Sequence, residues 1–495
     1  MWRALRLGSA EVLCPLLVVA ATVFDLGTLE WRDYAGRDVE IYVVIAQYWH
    51  DGLLPYRDLY DFKPPLTYAA LRAAWAIWGP GAESVRRLLM LAAAAGALVA
   101  YAGLRRARLV LAAPVTAIGF LTLVVADPWR VVSQNTELVA APFGIAAFGC
   151  AVAYQHGARW PWALGSGVCV GLAMLAKQPA ALWLVPVVLQ VCMQPVDGSR
   201  LRDWMRAAVR RTLLVVAGCT IPIGVVVLYF AWHGAASDLI EATVTDGIRY
   251  AGLRSDLLWA VLARPTADLL RQVTTHAAMW PFVGAVLAMP LVTLLRPSRA
   301  ALAAWAWLLV SYAVVVVGPR SEWHYLMCAF PALALTLGTV IELALAAGEA
   351  RPSARRLVGG TIVAVLLVGG AWTAHTLQLQ PLGGRSPIAD LAEQIRNARQ
   401  PGDTLFVKDE PYLLYAETGM RPLTRIFYPD APTAGALETW VGVLARRPTF
   451  ICVSHGTEGR LPSAQQGFEG DLARVLAQEY QRWVVHPIGV VYRRK

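Results

Sequence analysis

Charge is the scarcest commodity in this sequence. Asp, Glu, Lys and Arg make up only 16% of its 495 residues, whereas a soluble globular protein carries about a quarter. That shortage excludes an ordinary soluble domain. Lysine is rarer still: Lys63, Lys177, Lys408 and Lys495 are the four, and every other basic residue is arginine. The seven cysteines are Cys14, Cys150, Cys169, Cys192, Cys219, Cys328 and Cys452. All but the last fall in apolar stretches, with neither CxxC nor metal-ligand spacing, so they read as small buried hydrophobes and imply no disulfide framework. Internal repeats and low-complexity tracts are missing too.

What is there is apolar. The chain is 57% hydrophobic, its mean hydropathy is +0.48, and stretches of helical length recur from Glu11 to Leu377. We place apolar spans at 11–29, 87–104, 109–126, 137–155, 160–176, 179–194, 212–232, 276–295, 300–318, 325–347 and 356–377. The fold class is therefore an α-helical polytopic membrane protein with about eleven transmembrane helices. Met1 to Leu29 carries Arg3 and Arg6 before an apolar core and no small-residue cleavage site. It reads as a retained first helix and signal anchor.

Starting inside, the connections alternate outside and inside. Arg105, Arg106, Arg108, Arg159, Arg200 to Arg211, Arg296, Arg299 and Arg351 to Arg356 then all fall on the cytoplasmic side, as the positive-inside rule requires. That rule also accounts for much of the net charge of +10 without nucleic acid. Counting Leu66 to Trp78 as a span would break the pattern, so that stretch reads as a helix on or near the outer surface. The expected address is the cytoplasmic (inner) membrane, multi-pass, with everything beyond Leu377 outside. The expected domains are a transmembrane part, 1–379, and an extracytoplasmic part, 380–495.

Three regions fall outside: Glu30 to Arg86, His233 to Thr275, and the tail. In the tail, 404–408, 449–454 and 482–486 read as strands, separated by helices at 387–399, 434–446 and 466–480. That makes a small α/β unit, with neither a Gly-rich phosphate loop nor a nucleophile elbow. It is expected to support stability or acceptor choice and to carry no catalytic group.

The first outside region gathers the chemistry. Asp38 and Glu40 precede "IYVVIAQYWH", whose Ile41, Val44, Ile45 and Tyr48 mark one face of an amphipathic interfacial helix. Carboxylates there stand near lipid head groups. The alternative is a solvated acidic loop, with Asp38 as the helix N-cap. Lys63 follows in "RDLYDFKPPLTY", pinned by Pro64 and Pro65 at the mouth of the next helix. Its compact ammonium suits a single phosphate oxygen; it also suits an anchor that snorkels to the interface. A second outside cluster, "GPRSEWHYLM", offers Arg320, Glu322, His324 and Tyr325. Lys177 with Gln178, and the "TVTDGIRYAGLRSD" loop, are weaker candidates.

These residues resemble a family. "GRDVEIYVVIAQYWHDGLLPYRDLYDFKPPLTYAALRAAWAIWG" is similar to the first external loop of GT-C class integral-membrane glycosyltransferases. The set in question is the family 39-like proteins, related to protein O-mannosyltransferases and lipid A aminoarabinose transferase. The matches are Gly52, Pro55, Tyr56, Arg57 and Asp58, then Lys63, Pro64, Pro65, Leu66 and Tyr68. "AKQPAALWLVP", "HYLMCAFPALAL" and "LFVKDEPYLLYAETGMRPLTRIFY" resemble later landmarks of the same family.

The resemblance implies transfer of a sugar from a polyprenyl-phosphate carrier to a lipid, glycan or protein acceptor at the outer face, with inversion. It implies Asp38 as general base, and Lys63 on the donor phosphate with Arg320, His324, Tyr325, Glu40 and Arg57 as further binding residues. The family pattern has two adjacent acids, where Val39 here separates Asp38 from Glu40. Some members have an acidic, metal-binding residue before the lysine; here that residue is Phe62, with Asp61 one place earlier. No metal ligands are assigned, and a divalent metal stays open. The rival classes are a transporter or flippase of lipid-linked substrate and a non-enzymatic membrane scaffold. Against transport stands the lack of paired broken helices.

Overall fold

A computed structural model of the chain describes residues 36–125, 135–157, 159–195, 201–252, 263, 266–267, 270, 279–317, 323–348, 387–429, 431–433, 436–461 and 467–495. The expected spans at 11–29 and 356–377 lie outside the described residues. The remainder packs as two units.

The first unit takes in 86–226 and 251–380. Its helices begin with α3, Ala82–Arg106, whose first residues precede the unit. There follow α4 (Ala112–Val125), α5 (Thr136–Gln155), α6 (Trp160–Ala176) and α7 (Leu184–Cys192), with a 3₁₀ turn at Gln178–Trp183 between the last two. Then come α8 (Leu201–Trp232), α11 (Trp280–Leu295), α12 (Arg299–Val316), a 3₁₀ turn at Trp323–Ala329, and α13 (Phe330–Gly348). Among the described residues five helices are long and apolar enough to cross a membrane: Ala82–Arg106, Thr136–Gln155, Leu201–Trp232, Arg299–Val316 and His324–Ala346. Four shorter apolar helices accompany them.

With no hydrophobic force between helices in lipid, close backbone approach has to hold them together, and small residues permit it. Gly103 of α3 faces Gly149 of α5 so closely that a Cβ would stand 2.2 Å from the Gly149 carbonyl oxygen. The same device joins α6 to α8, where a Cβ on Gly167 would meet the Val215 carbonyl oxygen at 2.0 Å.

The second unit comprises 31–85, 227–250 and 381–495. It opens with α1, Arg37–His50, and α2, Leu66–Trp78. Pro64 and Pro65 set the start of α2, and Gly79, at φ 87°, ends it. At thirteen residues, α2 is about 20 Å long, too short for a hydrocarbon core of about 30 Å.

The amphipathic reading of α1 needs correction. Val39 to Ala46 are buried without a break, Glu40 included, so the helix is covered nearly all round. Its N-cap is Gly36, and Asp38 sits inside the first turn. The covering comes partly from the tail: Tyr48 donates to the Tyr415 carbonyl at 2.9 Å.

Next in this unit are α9 (Ala236–Ile240), a π turn (Glu241–Thr245) and α10 (Asp246–Gly252). The tail elements are α14 (Pro387–Ala398), β1 (Leu405–Lys408), α15 (Leu413–Thr418), α16 (Ala436–Ala445), β2 (Phe450–Val453), α17 (His455–Arg460), α18 (Gly467–Glu479), β3 (Tyr480–His486) and β4 (Gly489–Arg494). The sheet runs β1-β2-β4-β3, parallel at β1/β2 and antiparallel elsewhere. Every residue of β1 and β2 is buried, as strands covered on both faces must be. The core around them is Phe406, Trp440, Ile451, Phe468 and Leu472.

Candidate functional site

The second unit assembles a charged cluster around Lys63. After α1 the chain turns at Gly52, φ 92°, and again at Tyr56, a non-glycine residue at φ 71°. A bulky side chain in that region costs about 1–3 kcal/mol. Three bonds offset the cost: Tyr56 N–H donates to the Leu59 carbonyl at 2.7 Å, Arg425 Nε donates to the Tyr56 carbonyl at 2.6 Å, and the Tyr56 hydroxyl donates to the Lys63 carbonyl at 2.9 Å. The strained tyrosine thus fixes the backbone of the lysine.

Beside Lys63 lies Asp61, only 2% exposed. Its carboxylate accepts from the Tyr68 hydroxyl at 2.6 Å, the Tyr428 hydroxyl at 2.9 Å and the Phe62 N–H at 2.7 Å. Burial raises its pKa; the Lys63 ammonium and the two tyrosine hydroxyls pull against that rise, and the charge of Asp38 adds to it. Asp38, half-buried in the first turn of α1, is therefore close enough to act on Asp61 electrostatically. The buried Lys63 ammonium lies 4.3 Å from the centre of the Phe62 ring and 5.5 Å from that of Tyr250.

Tyr250 comes from α10, which is anchored by a buried Asp246 that accepts from Tyr60 at 2.7 Å and from Arg249. The sequence pointed to Lys63 and Asp38 but left Asp61 and Tyr428 unassigned. Tyr428 reaches the cluster from the tail, whose expected role was stability or acceptor choice.

Among the described residues, the donor set beside Lys63 does not suit a metal ion. The residue before the lysine is an aromatic ring, the adjacent ammonium repels a cation, and three donors already occupy Asp61.

Glu40 and Arg57 have different surroundings. Arg57 forks onto its neighbour Asp58, Nη2 to Oδ2 at 2.8 Å, and its side chain is 43% exposed. Glu40 is buried and accepts from the Leu413 N–H at 3.4 Å, at the start of α15. Burial, then the charge of Glu410, pushes the Glu40 carboxyl up to about 7, against the Leu413 and Tyr412 amides and Arg37.

A raised carboxyl pKa stabilises the folded chain where the group is neutral. That contribution is complete below pH 4.5, the usual value, and is lost as pH rises through about 7. We expect the thermal midpoint of the parent to drop across this window, by an amount on the order of 3 kcal/mol in stability. Glu40→Gln should flatten that part of the profile. An unchanged slope in unfolding scans from pH 4.5 to 8 would remove Glu40 as its source.

The first unit holds a separate cluster. Glu137, in the first turn of α5, pairs with Lys177 at the end of α6, Nζ to Oε1 at 2.5 Å, and its other oxygen accepts from Thr136 at 2.8 Å. His324 Nε2 stands 3.8 Å from the same Glu137 oxygen, and the Lys177 ammonium lies 4.2 Å from the centre of the Tyr325 ring. The sequence singled out Lys177, His324 and Tyr325 separately. Glu137, which joins Lys177 and His324, was not singled out. Arg320 and Glu322 lie outside the described residues.

The Glu137 and Lys177 side chains are 1% and 9% exposed, so removing one partner strands a buried charge and costs about 3–5 kcal/mol. Lys177→Met should therefore lower the thermal midpoint sharply, and Lys177→Met with Glu137→Leu should recover much of it. A single variant as stable as the parent would contradict the pairing.

No protein-family model matches the chain and no curated protein matches it in sequence. Solved structures do. The lipid A transferase ArnT from Cupriavidus metallidurans, solved bound to undecaprenyl phosphate, matches with a TM-score of 0.67 over 96% of this chain and 97% of that one, at 18% identity. An Archaeoglobus fulgidus oligosaccharyltransferase, solved with Zn and sulfate, matches with a TM-score of 0.53 over 98% of this chain and 73% of that one, at 14% identity. AglB from the same organism, solved with an inhibitory peptide and a dolichol-phosphate, gives 0.52 over 98% and 75%, at 12% identity.

This chain has the GT-C fold. The GT-C fold and the apolar helices make it a multi-pass membrane protein. At these identities the likeness speaks for fold, and the chemistry has to come from the residues.

Proposed function

We propose that this chain is a glycosyltransferase that moves a sugar from a polyprenyl-phosphate carrier to an acceptor at the outer face of the cytoplasmic membrane. The observation that carries this reading is the buried Lys63 ammonium, backed by the buried Asp61 and within the field of Asp38, in a chain with the GT-C fold. The ArnT and AglB structures hold undecaprenyl phosphate and dolichol-phosphate, ligands of the class proposed here.

When the anomeric bond breaks, charge gathers on the leaving phosphate oxygens. A fixed cation meets that charge without reorganising and without giving up a proton. In this reading Lys63 is that cation; Asp61 and the Tyr56 hydrogen bond to its backbone keep it in place. Asp38 takes the proton of the acceptor as it attacks from the face opposite the phosphate, which inverts the anomeric centre. For His324 and Tyr325 we propose donor binding separately, on the family resemblance alone. Arg57 and Glu40 serve the loop: Arg57 holds Asp58, and Glu40 holds α15. No step passes through a metal.

Incubating the purified protein with a panel of polyprenyl-phosphate sugars, and assaying released prenyl phosphate, tests the reading. Release above the level of the Lys63→Met variant supports it; transport of an intact lipid-linked sugar without release would favour the flippase. The side of the membrane has its own test. A reporter fused after Lys495 should register outside the cytoplasm, together with the whole tail from 380 onward. A cytoplasmic signal would overturn the proposed orientation.

A further inference from the structure

Helix α8 is longer than a membrane is thick. Its 32 residues make about 48 Å, against a hydrocarbon core of about 30 Å. The part from Thr212 to Trp232 contains no Asp, Glu, Lys or Arg and spans about 31 Å by itself. The opening turns, Leu201 to Arg211, are therefore at head-group depth, where Trp204 is also at home.

In those turns two stripes run side by side at helical spacing. Arg202, Arg206 and Arg210 recur every fourth residue and form the basic stripe. Leu201, Met205, Val209 and Leu213 form the apolar one, each more than half exposed. Together they line an open groove of about 760 Å³, walled almost wholly by apolar atoms because the arginines contribute their stems.

Among the described residues Arg202 and Arg210 make no hydrogen bond or ion pair, and Arg206 stands 3.9 Å from Asp203 with its side chain 64% exposed. The next arginine is the contrast: Arg211 is buried and donates to the carbonyls of Cys192, Gln194 and Pro195. One guanidinium ties α8 to the end of α7, and three face outward.

We infer that the opening turns of α8 bind an anionic phospholipid, with the head-group phosphate on Arg202, Arg206 and Arg210 and one acyl chain along the groove of Leu201, Met205, Val209 and Leu213. Charge complementarity selects this occupant. Three guanidinium forks match phosphate oxygens, and a basic stripe with an apolar stripe beside it reproduces the two-part chemistry of a lipid at the depth where lipids sit. A second copy of this chain would bring the same uncompensated positive charge to the contact. This site is separate from the proposed sugar transfer and does not depend on it.

The test uses the full chain in detergent, titrated with phosphatidylglycerol or phosphatidylcholine of identical acyl chains and read by native mass spectrometry. The parent should retain phosphatidylglycerol in preference, by about tenfold or more. Arg202→Gln with Arg206→Gln and Arg210→Gln should bring the two lipids to near parity. Leu201→Ser with Met205→Ser and Val209→Ser should weaken both lipids and leave their ratio alone. Should the triple arginine variant fail to fold, Arg202→Gln with Arg210→Gln, which removes no hydrogen bond or ion pair among the described residues, carries the same expectation. An undiminished preference in these variants overturns the inference. So does a parent that shows no preference, or one whose self-association, and no lipid binding, depends on these arginines.

Discussion

Asn at position 38 should leave donor binding nearly unchanged and reduce turnover by about 10²–10⁴-fold, the usual worth of a positioned proton acceptor. Asp38→Asn preserves volume and the first turn of α1. The proposed phosphate contacts lie on Lys63, so affinity for a labelled polyprenyl-phosphate sugar should hold. Asp38 also acts on its surroundings through charge: it raises Asp61, Glu410 and the Tyr428 hydroxyl. Its removal should therefore ease Asp61 downward and, if anything, steady the cluster. A large drop in turnover with an undiminished thermal midpoint is the expected pair of results. Normal turnover in Asp38→Asn would remove it from the chemistry.

Lys63→Met has the second large effect, and it should strike binding and turnover together. The methionine keeps much of the apolar stem against Phe62 and Tyr250 and removes the charge that attracts the phosphate. It also leaves Asp61 buried without its compensating cation, so the carboxyl should rise further and the fold should weaken. Lys63→Met with Asp61→Asn separates these consequences: stability should return, and donor affinity should stay low. Lys63→Arg should rescue only part of the turnover, since a planar guanidinium cannot place its charge where the ammonium sat. Binding of donor by Lys63→Met as tight as that of the parent would reduce Lys63 to an anchor.

The parts of this molecule that were legible in the sequence are those set by local chemistry. The bounds of α2 follow from Pro64 and Pro65 at one end and Gly79 at the other. The strands at 405–408 and 450–453 follow from short apolar runs, and Lys63 stood out because lysine is so rare here. What stayed hidden depends on chain segments hundreds of residues apart. The spacing of apolar residues in α1 suggested one covered face, because nothing local announces that Leu413 and Tyr415 of the tail cover another. Asp61 looked like one more acid in a charged loop until Tyr68 and Tyr428 were seen to donate to it. Glu137 was invisible for the same reason: its partners Lys177 and His324 come from other helices. The inner strand β4, paired on both sides by β2 and β3, was missed because "GVVYRR" ends in charges that its solvent-facing end accommodates.

Placement of the charged groups is the centre of the account, and single-turnover chemistry tests it most directly. The parent and Asp38→Asn, in nanodiscs with a donor sugar that the panel assay shows to be turned over, would be followed for bound donor and for released prenyl phosphate in the same reaction. The account predicts equal donor occupancy in both and release only, or about 10²–10⁴-fold faster, in the parent. Equal release from both proteins, or loss of donor occupancy in Asp38→Asn, would contradict it.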